Sequence, residues 1–462
     1  MTWSIQEAGL HVRDQDELIH FCDVPSYAEF RQRCLIPNRP CILPRALVAH
    51  WDVIHSNCWA SNGSSASETQ HVNWEALKWH YGTHVSPVVV ARLDRTSCKV
   101  QEDRSDMTIS NAVDLIQAFR RGDLADVRSI YIKDWHLIRQ LRSSTCGQPG
   151  TKEPYVVPEI FADDWMNNVS TRDCSGGQDA QQDDFRFVYA GTCGSQTLLH
   201  RDVYTSYSWS TNVVGVKKWF LLPPHTIPAL RRFPRVSTSP LIPDIDTLLC
   251  TLNEADRKDY PHLADALAHM QVITQHAHET IFIPSNWYHQ VHNLTDCISI
   301  NRNWCNSHNI ASLYHSIVQE LQHVEQSLCD VREILANKPC STHHDSKREF
   351  YALVQDVAVK DAGWAWHAFW QMLLRNLTSL PTEPALRPHV AWMSQQLLPL
   401  THDFEHREDA RWLDPVIRTT AQTCKSLLDA MVEQCQFLEA QQRTEKHAGD
   451  QEEHEGKLPV NG

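Results

Sequence analysis

The tripeptide His200-Arg201-Asp202 lies in a stretch of β-branched and apolar residues. In an extended strand, side chains at i and i+2 leave the same face. His200 and Asp202 can therefore grip one metal ion while Arg201 points away. A third ligand must come from elsewhere, and His289 and His292, in Trp287-Tyr288-His289-Gln290-Val291-His292, both compete for that position. They are three apart, so in a regular strand they face opposite ways. Two imidazoles and one carboxylate on a triangular face leave open positions on the ion, the donor set that non-haem Fe(II) oxygenases use. Those positions suit a bidentate 2-oxo acid and dioxygen.

The His-x-Asp pattern is weak evidence alone, because the chain has 27 histidines. His343-His344-Asp345 repeats it among Ser, Thr and Lys, where a polar loop would leave it solvent-exposed. His406-Arg407-Glu408 is set aside for a similar reason. A histidine taken at random is usually a surface group or a hydrogen-bonded core group.

The elements around residue 200 support the metal reading. Residues 185–190, 197–202, 207–222, 280–284, 287–294 and 297–304 are short, rich in β-branched and aromatic residues, and punctuated by Gly, Pro or Asn. They read as strands, and strands this closely spaced suggest an antiparallel barrel or double-sheet jelly roll. A partly helical insert at about 225–270 interrupts them. The N-terminal region, 1–143, mixes α and β: a helix start capped by Asn73, strands at 85–93 and 130–132, and a helix over 110–119 closed by Gly122. Residues 61–69 and 172–183 read as surface loops. After Trp304, apolar residues at helical spacing over 310–334, 348–377, 385–398 and 418–442 predict a helical C-terminal region, 305–442, whose stripes suit core packing or a homodimer interface. The polar tail, 443–462, reads as disordered.

Composition bounds the rest. At 462 residues the chain is long enough for more than one core, since single cores rarely exceed roughly 250–300 residues. A net charge of −14 disfavours direct nucleic-acid binding. No apolar run of about 18 residues predicts a membrane span, and the N-terminus has no basic segment followed by an apolar one. The 15 cysteines form no Cys-x-x-Cys pair and read as reduced thiols. The expected compartment is the cytoplasm, with the nucleus as a second.

Two ordered blocks carry a resemblance. The first runs from His200-Arg201-Asp202 through Tyr207-Ser208-Trp209-Ser210 to Val216-Lys217-Lys218-Trp219-Phe220-Leu221-Leu222-Pro223-Pro224. The second is Glu279-Thr280-Ile281-Phe282-Ile283-Pro284-Ser285-Asn286-Trp287-Tyr288-His289. The pair resembles the signature of the JmjC-type Fe(II)- and 2-oxoglutarate-dependent oxygenases, strongly over about 185–304 and loosely before it. The resemblance implies a double-stranded β-helix (jelly roll, cupin-like). It implies His200, Asp202 and His289 as iron ligands, with His292 left as a core or supporting histidine. It further implies Lys217 and Thr197 on the far carboxylate of 2-oxoglutarate, with Tyr131 and Asn301 as further contacts; Lys218 alternates to the solvated face. Asp134-Trp135-His136, Pro158-Glu159-Ile160-Phe161-Ala162-Asp163-Asp164-Trp165 and Ser299-Ile300-Asn301-Arg302-Asn303-Trp304 are similar to the branch that hydroxylates a lysine of a translation release factor. One departure is visible: His278 stands where the family usually has Gly, which affects a turn and not the metal site. An N-methyl-lysine demethylase and a silent JmjC scaffold are the alternatives, and the complete ligand set argues against the scaffold.

Overall fold

The computed structural model describes residues 18–61, 70–94, 99–144, 153–168, 185–234, 241–242, 244–245, 258–338, 342–380 and 382–455. The expected loops at 61–69 and 172–183 lie almost wholly outside them. By internal contacts the chain divides into one unit of Met1–Ala162 and Val169–Trp304, and a second of Asp163–Asn168 and Cys305–Gly462.

Among its described residues the first unit contains fifteen strands: β1 (Ile19–His20), β2 (Cys41–Leu43), β3 (Ala60–Ser61), β4 (His71–Val72), β5 (Val85–Asp94), β6 (Lys99–Thr108), β7 (Val127–Trp135), β8 (Arg186–Gly191), β9 (Gln196–Arg201), β10 (Tyr207–Val214), β11 (Lys217–Leu222), β12 (Gln271–Gln275), β13 (Thr280–Ile283), β14 (Tyr288–Asn293) and β15 (Cys297–Trp304). Nine form one sheet in the order β1-β2-β13-β10-β15-β8-β7-β5-β6, and four form a second in the order β12-β11-β14-β9. Apart from the parallel β1–β2 pair, every pairing is antiparallel. This is the expected jelly-roll core, widened on one side by β5, β6 and β7 of the N-terminal region, which belong to the same sheet as the barrel strands.

Polar and apolar faces alternate where the two sheets enclose the site. In β15, Ser299, Asn301 and Asn303 share one face, and Ile298 and Ile300, both fully buried, take the other. Behind β10, Trp209 stacks on Phe161 with ring centroids 5.6 Å apart, and Phe161 meets Trp304 edge-on at 5.7 Å. Such aromatic packing anchors the outer face of the sheet and leaves the polar row facing inward.

The single strand expected over 207–222 is two strands in two different sheets. Gly215 separates them at φ +91°, and a Cβ there would fall 2.3 Å from the Asp296 carbonyl oxygen. Only glycine fits that crossing, and the Asn212 side chain donates to the Gly215 carbonyl at 2.6 Å. At another crossing, between β12 and β13, His278 sits at φ +70°. That is the left-handed region glycine prefers, so the departure seen in the sequence is a strained turn. Replacing His278 by Gly is expected to stabilise the protein by about 1 kcal/mol, read as a higher urea midpoint; an unchanged or lower midpoint would contradict the strain.

The helical unit differs from the expectation in its breaks. The helix expected over 310–334 is two, Ile310–Ser327 and Cys329–Ala336, separated at Leu328 (φ −103°, ψ 19°). The one expected over 348–377 is His343–Ala362 and Trp366–Thr378, separated by Gly363 at φ +91°. The 385–398 helix is Val390–His406, after a 3-10 turn at Pro384–Leu386. His343-His344-Asp345 is not a loop: Thr342 and Asp345 form a capping box and open that helix. The three residues are nevertheless exposed, as expected. The tail expected to be disordered from residue 443 continues the helix Pro415–Glu455. Its Ala, Gln, Glu, Lys and Arg content is that of a strong helix former, which a polarity argument overlooks. Residues 456–462 lie outside the described ones. Tyr314, Trp366, Phe369, Trp370 and Phe404 form the aromatic core of this unit, with Trp370 and Phe404 centroids 4.8 Å apart.

Candidate metal and co-substrate site

β9 and β14 pair antiparallel with His200 directly opposite His289. Their rings lie 4.2 Å apart between centroids. Asp202 follows β9 in extended backbone (φ −64°, ψ 151°), so it keeps the face of His200. One ligand atom from each of His200, Asp202 and His289 lies within 4.8 Å of the others.

Each donor is held from behind. His200 Nδ1 faces the Leu198 carbonyl at 2.8 Å, and His289 Nδ1 faces the Trp287 carbonyl at 3.4 Å. With Nδ1–H donating to backbone, each ring turns an unprotonated Nε2 inward, the form a metal needs. His289 is buried, and burial together with the neighbouring His200 depresses its pKa, so it stays neutral. Ser208 on β10 donates to Asp202 Oδ2 at 2.6 Å, fixing that carboxylate. The donor set fits a first-row divalent ion of the iron class. Replacing Ser208 by Ala frees the Asp202 carboxylate to rotate, and iron affinity is expected to fall about 10-fold; an anaerobic iron titration showing unchanged affinity would contradict this.

The cavity beside these three residues is lined by Tyr131, Thr197, Lys217 and Asn301, so the structure brings every sequence-predicted site residue together. Lys217, on β11, is 2 % exposed. Its Nζ donates to Ser299 Oγ at 2.8 Å, and among the described residues no carboxylate lies within ion-pair distance of it. Burial lowers its pKa to about 8. A buried ammonium without a counter-charge is costly, and the chemistry that relieves it is an anion entering the cavity. The Tyr131 hydroxyl is hydrogen-bonded by Thr197 and Asn293, and burial raises its pKa, so it stays a neutral donor. Asn301 Oδ1 accepts from Ser210 Oγ at 3.0 Å. These groups fit the distal carboxylate of a dicarboxylic 2-oxo acid.

Thr197 and His200 are three apart, yet both reach the cavity. The register explains it: Thr197 pairs with Val291 and His200 with His289, so Leu198 and Leu199 together oppose Gln290 in a bulge. His292 lies across from Lys218, away from the cavity, with its Nε2 2.6 Å from Gln290 Nε2 and its ring edge-on to Phe220. It supports the strand and is not among the three gathered side chains. The cavity also takes Tyr189, Ser208, Trp219, Val291 and Asn303. Sequence reasoning missed these as site residues, although the alternation Ser299, Asn301, Asn303 marked that face of β15. Trp219 is buried with its Nε1 donating to Gln275 at 2.8 Å and also forms part of the cavity wall.

A jelly roll with this three-residue cluster between its sheets defines a class. The chain belongs to the cupin-like family of JmjC type, whose cupin-like domain matches residues 27–310. Within that class it is similar to the JMJD4 proteins. It is 33% identical over 356 residues to human 2-oxoglutarate and iron-dependent oxygenase JMJD4, covering 72% of this chain and 74% of that protein. The mouse protein of the same name is 32% identical, covering 69% and 67%. Arginine-specific demethylase JMJ20 of Arabidopsis thaliana is 30% identical, covering 71% and 65%. The oxygenase class expected from the two sequence blocks agrees with these relatives. No helix among the described residues is long and apolar enough to cross a membrane.

Proposed function

We propose that this chain is an Fe(II)- and 2-oxoglutarate-dependent protein hydroxylase of the cytoplasm that oxidises a side-chain carbon of a lysine in a translation release factor. The observation that carries the oxygenase reading is the pairing of a facial His200–Asp202–His289 donor set with a buried, uncompensated Lys217 in one cavity. The first suits the iron and the second suits the far carboxylate of 2-oxoglutarate. When bound, the iron and its co-substrate supply dioxygen activation coupled to loss of carbon dioxide, leaving succinate and one oxygen atom for a C–H bond.

The residues of the chain do the rest. His200, Asp202 and His289 are the side chains that would hold the ion. Lys217, with the Thr197 and Tyr131 hydroxyls, would anchor the far carboxylate of the acid in the cavity. Asn301 and Ser210 close the wall beside it. Trp219 and Val291 contribute apolar surface to the cavity wall. No side chain is needed as acid or base for the C–H step.

The lysine target rests on the resemblance of Asp134-Trp135-His136, Pro158 to Trp165 and Ser299 to Trp304 to the release-factor hydroxylases, and the chain's net charge of −14 suits a basic peptide. A demethylase reading has the Arabidopsis relative's name in its favour, though that name specifies arginine and not lysine. One experiment separates the two: the purified protein, iron and 2-oxoglutarate are incubated with a lysine-containing release-factor peptide and with its N-methylated form. An added oxygen on the unmodified lysine supports the hydroxylase. Loss of methyl with formaldehyde release, and no oxygen on unmodified lysine, would replace it with the demethylase.

A further inference from the structure

Gly191, the last residue of β8, lies directly opposite Tyr131 on β7 and Cys297 on β15. Opposed residues of an antiparallel pair share a face. Tyr131 lines the cavity, so a Cβ on Gly191 would point the same way. The space is already taken. An added Cβ would stand 2.6 Å from Tyr131 Cδ2 and 2.9 Å from Asn293 Nδ2, and closer still to Ser195 Oγ. Each of these neighbours is held. Ser195 donates to the Thr192 carbonyl at 2.6 Å and accepts from Asn293 Nδ2 at 2.8 Å. The buried Tyr131 hydroxyl is engaged by Thr197 and Asn293. The Ser195 hydroxyl can rotate aside, giving up its two bonds. The Tyr131 ring is rigid and yields only by lifting from the sheet as a whole. This contact belongs to the lysine end of the cavity. Asn293 pairs with Lys217 across β14 and β11, whereas His289 of the metal cluster pairs with Leu221 further along the same two strands. Four residues of β14 separate the two ends, about 13 Å of extended chain. A ring lifted from Gly191 therefore takes space from the end where Lys217 waits for a carboxylate.

We infer that Gly191 is the positioning residue that sets which length of 2-oxo diacid the cavity accepts, by letting the Tyr131 ring lie flat against the sheet. This rests on the oxygenase reading above and deepens it. Gly191 touches no ligand and acts through Tyr131. With the ring flat, the room between the metal cluster and Lys217 suits the five-carbon acid; with the ring raised, a four-carbon acid fits better.

The test compares two acids in four proteins. Affinities for 2-oxoglutarate and for oxaloacetate, one methylene shorter, are read without oxygen from the absorption band each gives with Fe(II). Wild type is expected to prefer 2-oxoglutarate by about 10-fold or more, the worth of one methylene in a fitted site. In Gly191→Ala the affinity for 2-oxoglutarate should fall by at least about 10-fold and that for oxaloacetate by less, so the preference shrinks or reverses. In the Tyr131→Ala background the same change should leave the ratio of the two affinities within about 2-fold, because the ring it displaces is gone. A purely structural role would weaken both acids alike, so an unchanged ratio in Gly191→Ala overturns the inference. So does a wild type indifferent to acid length, or an effect of Gly191→Ala that persists in full without the ring. If Gly191→Ala alone does not fold, the double variant decides. Folding with the ratio of Tyr131→Ala supports the inference, and failure to fold there too means that Gly191 serves something other than the ring. Absence of the band with 2-oxoglutarate in wild type would sink the oxygenase reading, whereas a normal wild-type band with an unchanged ratio in Gly191→Ala would sink this inference alone.

Discussion

Replacing His289 by Ala is expected to lower succinate formation by at least about 10³-fold and to leave the purified protein without stoichiometric iron. The size follows from geometry. His200 and His289 are directly opposed across β9 and β14, and Asp202 is tied to Ser208, so no neighbouring side chain can swing in as a substitute. His292, three residues on, faces the other side of the strand beside Lys218. Two remaining ligands bind a divalent ion weakly at neutral pH, and each lost donor atom also opens the site to water. Plasma emission for iron, together with turnover, reads both effects. A variant that kept one iron per chain and normal turnover would show that the third ligand lies elsewhere.

Replacing Lys217 by Met is expected to do two opposite things. The KM for 2-oxoglutarate should rise about 100-fold or more, because a buried carboxylate then lacks its partner, a loss of about 3–5 kcal/mol. The ligand-free fold should become more stable, because the variant removes an ammonium buried without a counter-charge. Burial lowers the Lys217 pKa from its usual 10.5 to about 8. A lysine whose folded pKa lies below its unfolded value carries its full penalty while both states are protonated, below about pH 8. The penalty is relieved as pH rises toward the unfolded value. The shift corresponds to about 3 kcal/mol. Ligand-free wild type should therefore gain stability between pH 8 and 10.5, whereas Lys217→Met should not. In the same range the wild-type KM for 2-oxoglutarate should rise, since the free cavity loses its positive charge. Urea midpoints and KM values across that range check both arms, and a KM independent of pH and of Lys217 would contradict the assignment.

The legible and illegible parts of this chain follow from the range of the interactions involved. His200 and Asp202 were readable because a period of two is a local property of a strand, and the same rule separates His289 from His292. Lys217 was placed by resemblance, and alternation then turns Lys218 to the other face; Lys217 is buried and Lys218 half-exposed. The jelly-roll class was readable from the spacing of short β-branched runs. The sheet crossing at Gly215 was not, since a strand looks continuous until the Asp296 carbonyl occupies the space a side chain would need. Thr197 could be placed only by resemblance, because a bulge against Gln290 breaks the alternation that would have turned it away from His200. Tyr131 and Gly191 come from strands far apart in sequence, and no local pattern announces their meeting. Polarity misled at two places for one reason: His343-His344-Asp345 and the segment after residue 443 are both polar, and both are helical, through a capping box in the first and through intrinsic propensity in the second.

The most direct test of the shared site is an anaerobic titration of the metal-free protein with Fe(II) in the presence of 2-oxoglutarate, followed by visible absorption. Chelation of the 2-oxo acid to iron held by two imidazoles and one carboxylate gives a charge-transfer band. The band should grow to an end point at one iron per chain, require 2-oxoglutarate, and vanish in His289→Ala. It should demand far more 2-oxoglutarate in Lys217→Met. Absence of the band in wild type, or its full persistence in His289→Ala, would mean that these side chains do not share an ion and that the cavity serves some other ligand.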